Sequence, residues 1–379
     1  MPTKFNDDER VLSALNVVTP SGVIPQGWIH IRNGVIVGVG DGEPPSNATI
    51  DIVPGWAYPG FVDVHMHGGD GHDASGSVED VRAAVAFHGR HGTTAALVSL
   101  VTAPVEELVA SLSNIATAIE TREKGEPTIL GAHLEGPFLS HAQCGAQNPA
   151  HLQLPNAELL REFIAAARGN LRVITLAPEL PGAMELIDIA RSQDVVVAVG
   201  HTDASYEVAV EAFRRGATIA THLHNGMRPF NHRDPGPALA ALASGALCEV
   251  INDGVHVHPA IARDVVDHSK FQLALVTDAI SATGAGDGHY QLGGLDVIVT
   301  GGVARLRDSE GLAGSTLTMD SALRRALSAG LSVEQVALAS SANACRVLGE
   351  LNRGSIEVGQ RADIVLFTEA LAIREVLIA

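Results

Sequence analysis

Eight short apolar runs, nearly all followed by a stretch of helical spacing, limit what this chain can fold into. The runs are Ala57 to Met66, Thr93 to Leu100, Thr128 to Leu134, Leu171 to Leu176, Val195 to Val199, Ala217 to Leu223, Ala246 to Ile251 and Phe271 to Thr277. Between them lie segments such as VEDVRAAVAFHGRHG, VEELVASLSNIATAIETREKG, NAELLREFIAAARG and YEVAVEAFRRG, commonly closed by a Gly at the expected helix end. Strands that are apolar on both faces must be covered on both sides. Eight such strand-plus-helix units in succession predict an α/β fold, a parallel TIM-like (β/α)8 barrel.

The two ends of the chain read differently. LNVVTP, Ser21-Gly22 and GWIHIRNGVIVGVG show strands and turns with little helical periodicity, and Asn33-Gly34 is a two-residue hairpin signal. The segment from about Gly354, GSIEVGQRADIVLF, has the same character. The ends are therefore expected to form one small β-sandwich domain, 1–57 with 350–379, leaving 58–349 to the barrel. From about Gly284 to Gly314 the alternation breaks, and YQLGGLDVIVTGGVARL predicts a hairpin inserted after the eighth strand.

Composition narrows the partners. With 46% hydrophobic and 18% charged residues the chain supports a sizeable core. No apolar run approaches the roughly 18 residues of a membrane span. The first residues, MPTKFNDDER, lack the order of a signal peptide, so the cytoplasm is expected. A formal net charge of -18 argues against nucleic-acid and anionic-membrane surfaces, while leaving room for one phosphorylated small molecule. Cys144, Cys248 and Cys345 are far apart and odd in number, which fits neither a zinc knuckle nor a disulfide framework.

Barrel chemistry sits at the carboxyl ends of the strands. His65 and His67, in FVDVHMHGGD, end strand one, and their i, i+2 spacing points both imidazoles the same way. Glu135 ends strand three, His201 strand five, His222 strand six and Asp278 strand eight. Any one of these alone reads as a satisfied polar group. Together they place potential ligands on one rim at five of eight strands. Imidazole and carboxylate sets suit Zn, Fe or Mn, and an open coordination position makes a site catalytic. Asp278 is placed to carry a proton to a leaving group. His133, His224 and His258 are expected in supporting roles.

The motifs PGFVDVHMHG, GAHLEGPF, VGHTDA, THLHNGM, DGVHVHP, LVTDAISATG and LAGSTLTMD resemble the amidohydrolase superfamily and, more narrowly, its N-acetylglucosamine-6-phosphate deacetylases. This resemblance implies metal-dependent hydrolysis of the acetamido group of N-acetyl-D-glucosamine 6-phosphate, in amino-sugar catabolism or cell-wall recycling. Glu135, His201 and His222 would hold the main divalent metal, with Zn, Fe, Mn or Co as candidates. His65 and His67 would add a second, and Asp278 would be the general base and acid. Asn225, Gly226 and His256 match positions that hold the sugar phosphate. Arg233 matches an Arg that reaches the neighbouring active site of a homodimer. Two positions depart from the family: Gln147 replaces a His that helps orient the substrate carbonyl, and Cys144 replaces a Lys on the same loop. The alternatives are a deaminase or cyclic amidase of the superfamily, a deacetylase preferring the galacto epimer, or a catalytically silent metal-binding scaffold.

Overall fold

The computed structural model describes residues 9–45, 50–268, 271–309 and 311–379. Residues 1–8, most of the stretch expected to lack a signal peptide, lie outside the described residues. Eight strands, Phe61–Met66, Thr93–Val101, Thr128–Glu135, Leu171–Leu176, Val196–Val199, Ile219–Ala220, Leu247–Ile251 and Leu273–Val276, pair with their neighbours in chain order. Every pair is parallel. These are barrel strands one to eight, and with the helices between them they form the expected (β/α)8 barrel.

Local chemistry sets the helix boundaries. Ser77 and Asp80 cap each other's backbone at the start of Val78–Arg90, and Gly216, at φ 107°, closes Tyr206–Arg215. Two strand expectations need correction. Residues 57–59 end the strand Ile50–Pro59 of a different sheet, so barrel strand one starts at Phe61. The sixth run keeps only Ile219–Ala220 in the ladder, because the chain enters a turn at Thr221.

The strands Ile373–Leu377, Ile364–Thr368, Ile50–Pro59, Glu9–Thr19, Gly22–Arg32 and Val35–Gly40 form one sheet in that order. The chain ends thus build the small β-sandwich around a separate core that includes Leu12, Val17, Ile29, Ile36, Ile364 and Leu366. Asn33 and Gly34 both have positive φ, as a type I′ hairpin turn requires. Gly60 links this sheet to the barrel: a Cβ there would fall 2.3 Å from Thr94 Oγ1, which excludes any side chain.

The insertion is a three-stranded antiparallel meander, Gly288–Leu292, Leu295–Thr300 and Val303–Leu306, rather than a single hairpin. Leu292, Val297 and Val299 pack with Val101 and Ile280, which seats the meander over the carboxyl ends of the strands.

Strands eight and one meet through the isolated bridge of Met66 with Ala279 instead of a ladder. Side chains lace this seam. The fully buried Asp63 accepts from the Thr277 hydroxyl at 2.6 Å, the Thr277 N–H at 3.2 Å and the His65 N–H at 3.3 Å. Burial pushes its carboxyl up to about 6, against the pull of these donors. Asp63→Ala strands two buried N–H donors, each worth about 1–3 kcal/mol when left unpaired, and leaves the Thr277 hydroxyl only the His65 carbonyl at 3.3 Å. We expect a loss of at least about 2 kcal/mol in a urea-unfolding measurement. A loss below about 1 kcal/mol would show that the seam does not depend on this carboxylate.

Candidate active site

Three polar residues on the rim share an uncommon backbone. His201, His222 and Asp278 each stand two residues beyond their strand and have φ of 46°, 27° and 49°. The left-handed region costs a non-glycine residue about 1 kcal/mol or more, and such strain collects at functional sites. Here it turns each side chain inward as the strand ends. Glu135 needs no such turn, being the last residue of strand three.

Two sets of side chains converge. Glu135 Oε1 lies 3.1 Å from His201 Nε2 and 2.9 Å from His222 Nε2, and those two nitrogens are 3.0 Å apart. In the second set, His65 Nε2 and His67 Nε2 are 3.1 Å apart, and Asp278 Oδ1 is 3.6 and 3.2 Å from them. Glu135 joins the sets, with Oε1 at 3.5 Å from His65 Nε2 and Oε2 at 3.5 Å from His67 Nε2. All six residues are buried.

Proton positions follow from the outer partners. His65 Nδ1 faces Glu249 Oε2 at 2.9 Å, and His67 Nδ1 faces the Ser99 carbonyl at 3.1 Å. His201 Nδ1 and His222 Nδ1 face the carbonyls of Gln143 and Asn225, each at 3.0 Å. Carboxylates and carbonyls can only accept, so all four rings carry a proton on Nδ1 and turn Nε2 inward, where it offers a lone pair whenever the ring is neutral. Four Nε2 atoms and two carboxylates facing one another are stable only around positive charge, whether protons or a cation. The residues present therefore fit divalent cations, with both sets of donor atoms inside 4.8 Å.

The titration behaviour shows the same demand. Burial alone would push His65 down, but Glu135, Asp278 and Glu249 outweigh it and hold the ring well above its ordinary value. His201 is likewise raised, chiefly by Glu135, against its burial. Burial would raise both acids, yet the neighbouring imidazoles, His65 first, hold Glu135 well below the usual range and Asp278 at about 2.

A cavity of about 390 Å³, in the range of small-molecule sites, opens above the donors. His67, Glu135, His201, His222 and Asp278 form its base; Asn225, Gly226, His256 and Gln147 also line it, and Leu306 and Leu312 come from the meander and the segment after it. Gly226, at φ 57°, lets the backbone pass where a Cβ would fall 2.8 Å from His201 Nδ1. Gln147 accepts from the Thr102 N–H at 2.7 Å and donates to Glu135 Oε2 at 2.6 Å. Since the backbone N–H must donate, the amide is oriented unambiguously. Cys144 and Arg233 are not among the lining residues; Arg233 is exposed, with its guanidinium 2.9 Å from His232 Nε2.

His133 bridges Ser99 Oγ and Thr175 Oγ1 at 2.9 and 2.8 Å, and burial, then the charge of His65, push it well below its ordinary value. His224 and His258 are exposed. Glu249 and Asp63 escaped the sequence reading. The available signal was a lone carboxylate inside an otherwise apolar run, LCEVI and FVDV, where burial without partners is prohibitive.

The amidohydrolase family pattern matches residues 56–378. The N-acetylgalactosamine-6-phosphate deacetylase of Escherichia coli O157:H7 is 34% identical over 97% of each chain. The N-acetylglucosamine-6-phosphate deacetylase of Bacillus subtilis is 35% identical over 94% of this chain and 92% of its own. Among solved structures, a mutant N-acetyl-D-glucosamine-6-phosphate deacetylase from Mycobacterium smegmatis, in complex with N-acetyl-D-glucosamine-6-phosphate, superposes with a TM-score of 0.94 at 38% identity, covering 98% of both chains. With agreement of this extent in sequence and architecture, the chain belongs to the amidohydrolase family, in the branch of the N-acetylglucosamine-6-phosphate deacetylases.

Proposed function

We propose that this chain hydrolyses the acetamido group of N-acetyl-D-glucosamine 6-phosphate, releasing acetate and D-glucosamine 6-phosphate. The observation that carries the reading is the cage of four inward Nε2 atoms and two carboxylates at the base of a cavity of monosaccharide scale. A bound divalent cation supplies Lewis acidity there, polarising an amide carbonyl and lowering the pKa of water. Glu135, His201 and His222 would hold the first ion; His65, His67 and Asp278 offer donors for a second. Zn is the occupant best matched to a mixed imidazole and carboxylate set, with Fe, Mn and Co as competitors.

The chain's own groups perform the remaining work. Asp278 accepts the proton of the attacking water and returns it to the departing nitrogen. Gln147 uses one amide hydrogen on Glu135 and keeps the other for the acetyl oxygen. Leu306 and Leu312 limit water at the mouth. Asn225, Gly226 and His256 are the groups for the phosphate, and Asp253 Oδ2, 2.7 Å from His256 Nδ1, fixes that ring. No Lys or Arg lines the cavity among the described residues. That shortage of positive charge supports a homodimer in which Arg233 of a second copy reaches the phosphate. A cytoplasmic setting is supported by three unpaired cysteines, and among the described residues no helix is long and apolar enough to cross a membrane.

A galacto preference stays in view because one relative of similar identity is named for that epimer. The test is acetate release by purified, metal-quantified protein from N-acetylglucosamine 6-phosphate, its galacto epimer and the unphosphorylated sugar. Turnover that requires the phosphate is expected. Equal turnover without the phosphate, or none by protein with its full metal, overturns the reading.

A further inference from the structure

Glu249 has no part in the chemistry above, and it does not line the cavity. It sits in the middle of barrel strand seven with its side chain 1% exposed, where an unpartnered carboxylate costs several kcal/mol. Its Oε2 takes two donors, His65 Nδ1 at 2.9 Å and the His222 N–H at 3.2 Å, and its backbone carbonyl takes the Leu223 N–H at 2.7 Å. One residue therefore grips a ring from one donor set and the strained turn that carries a ring of the other.

We propose that Glu249 is the positioning residue that makes the His65, His67 and Asp278 set able to hold its own divalent cation. His67, His201 and His222 each rest on a neutral backbone carbonyl. His65 alone rests on a carboxylate. That partner locks the Nδ1–H form, aims Nε2 at His67 Nε2 and Asp278 Oδ1, and makes this nitrogen the strongest imidazole donor of the four. The grip on His222 is lesser in kind: it holds a backbone turn and leaves that ring's outer partner, the Asn225 carbonyl, untouched. Loss of Glu249 thus weakens the second ion far more than the first.

The inference rests on the cage being a cation site, and not on the sugar substrate, so its test uses metal alone. Metal-free protein is titrated with Zn(II) by calorimetry and with Co(II) by visible absorption, for the native chain, Glu249→Gln and Glu249→Leu, with melting temperatures recorded beside them. The native chain is expected to take two ions. Glu249→Leu should keep the first and bind the second about 100-fold more weakly, with loss of the second Co(II) band. Glu249→Gln keeps a neutral acceptor for His65 and should weaken the second ion by about 10-fold, which preserves the test should the Leu variant not fold. An unchanged second ion, equal weakening of both ions, or a native chain that takes one ion overturns the proposal. A native chain that binds no ion overturns the cage reading itself.

Discussion

Asp278→Asn should lower kcat by about 10²- to 10⁴-fold while the protein keeps its ion at the first set. The carboxylate projects from strand eight into the base of the cavity, 3.2 Å from His67 Nε2, and its neighbours hold it ionised down to about 2. It is thus ionised, with its lone pairs available, at any working pH. An amide has nearly the same shape and can still accept a hydrogen bond, but it cannot take a proton from water and give it to nitrogen. Glu135, His201 and His222 do not depend on it, so the first ion should remain. The check is kcat beside metal content by mass spectrometry, with the second ion scored separately because Asp278 is also one of its donors. Turnover within tenfold of native, with the first ion bound, would remove Asp278 from the proton path.

Glu135→Gln should have the larger effect on metal. Glu135 Oε1 serves both His201 and His222, and its Oε2 accepts the Gln147 amide at 2.6 Å. An introduced amide nitrogen must face either the imidazole lone pairs or the Gln147 NH2. The first orientation opposes the donor set and the second sets two donors against each other, since Thr102 prevents Gln147 from turning over. The charge shared by both donor sets is lost as well. Affinity for the first ion should fall by more than the roughly 100-fold that loss of an outer partner costs, and turnover should fall with it. Equilibrium dialysis of the variant is the measurement, and retention of one ion at native affinity would sink this account of the cage.

The barrel was legible because buried parallel strands must be apolar on both faces, which shows in VVAV as plainly as in LALV. The shared sheet of the chain ends was legible in Asn33-Gly34 and in the strand character of ADIVLF. Two things were hidden. Strand six keeps only two paired residues, and the positive φ of His222 just beyond it is a backbone feature that no side-chain pattern reveals. The roles of Glu249 and Asp63 depend on which strands become neighbours across the barrel, and spacing within one segment carries no record of that. Arg233 shows the converse: its loop is plain in the sequence, but within one chain it lies outside the cavity.

The seam between strands eight and one also divides the site into two kinds of assembly. Glu135, His201 and His222 come from strands three to six, whose neighbours follow one another along the chain, so their meeting does not depend on the seam. The other set does depend on it. Its two imidazoles stand on strand one and Asp278 follows strand eight, so the set is complete only where the seam closes and Asp63 meets Thr277 across 214 residues of sequence. The first donor set thus draws on neighbouring stretches of the wall, while the second exists only when the barrel becomes a ring.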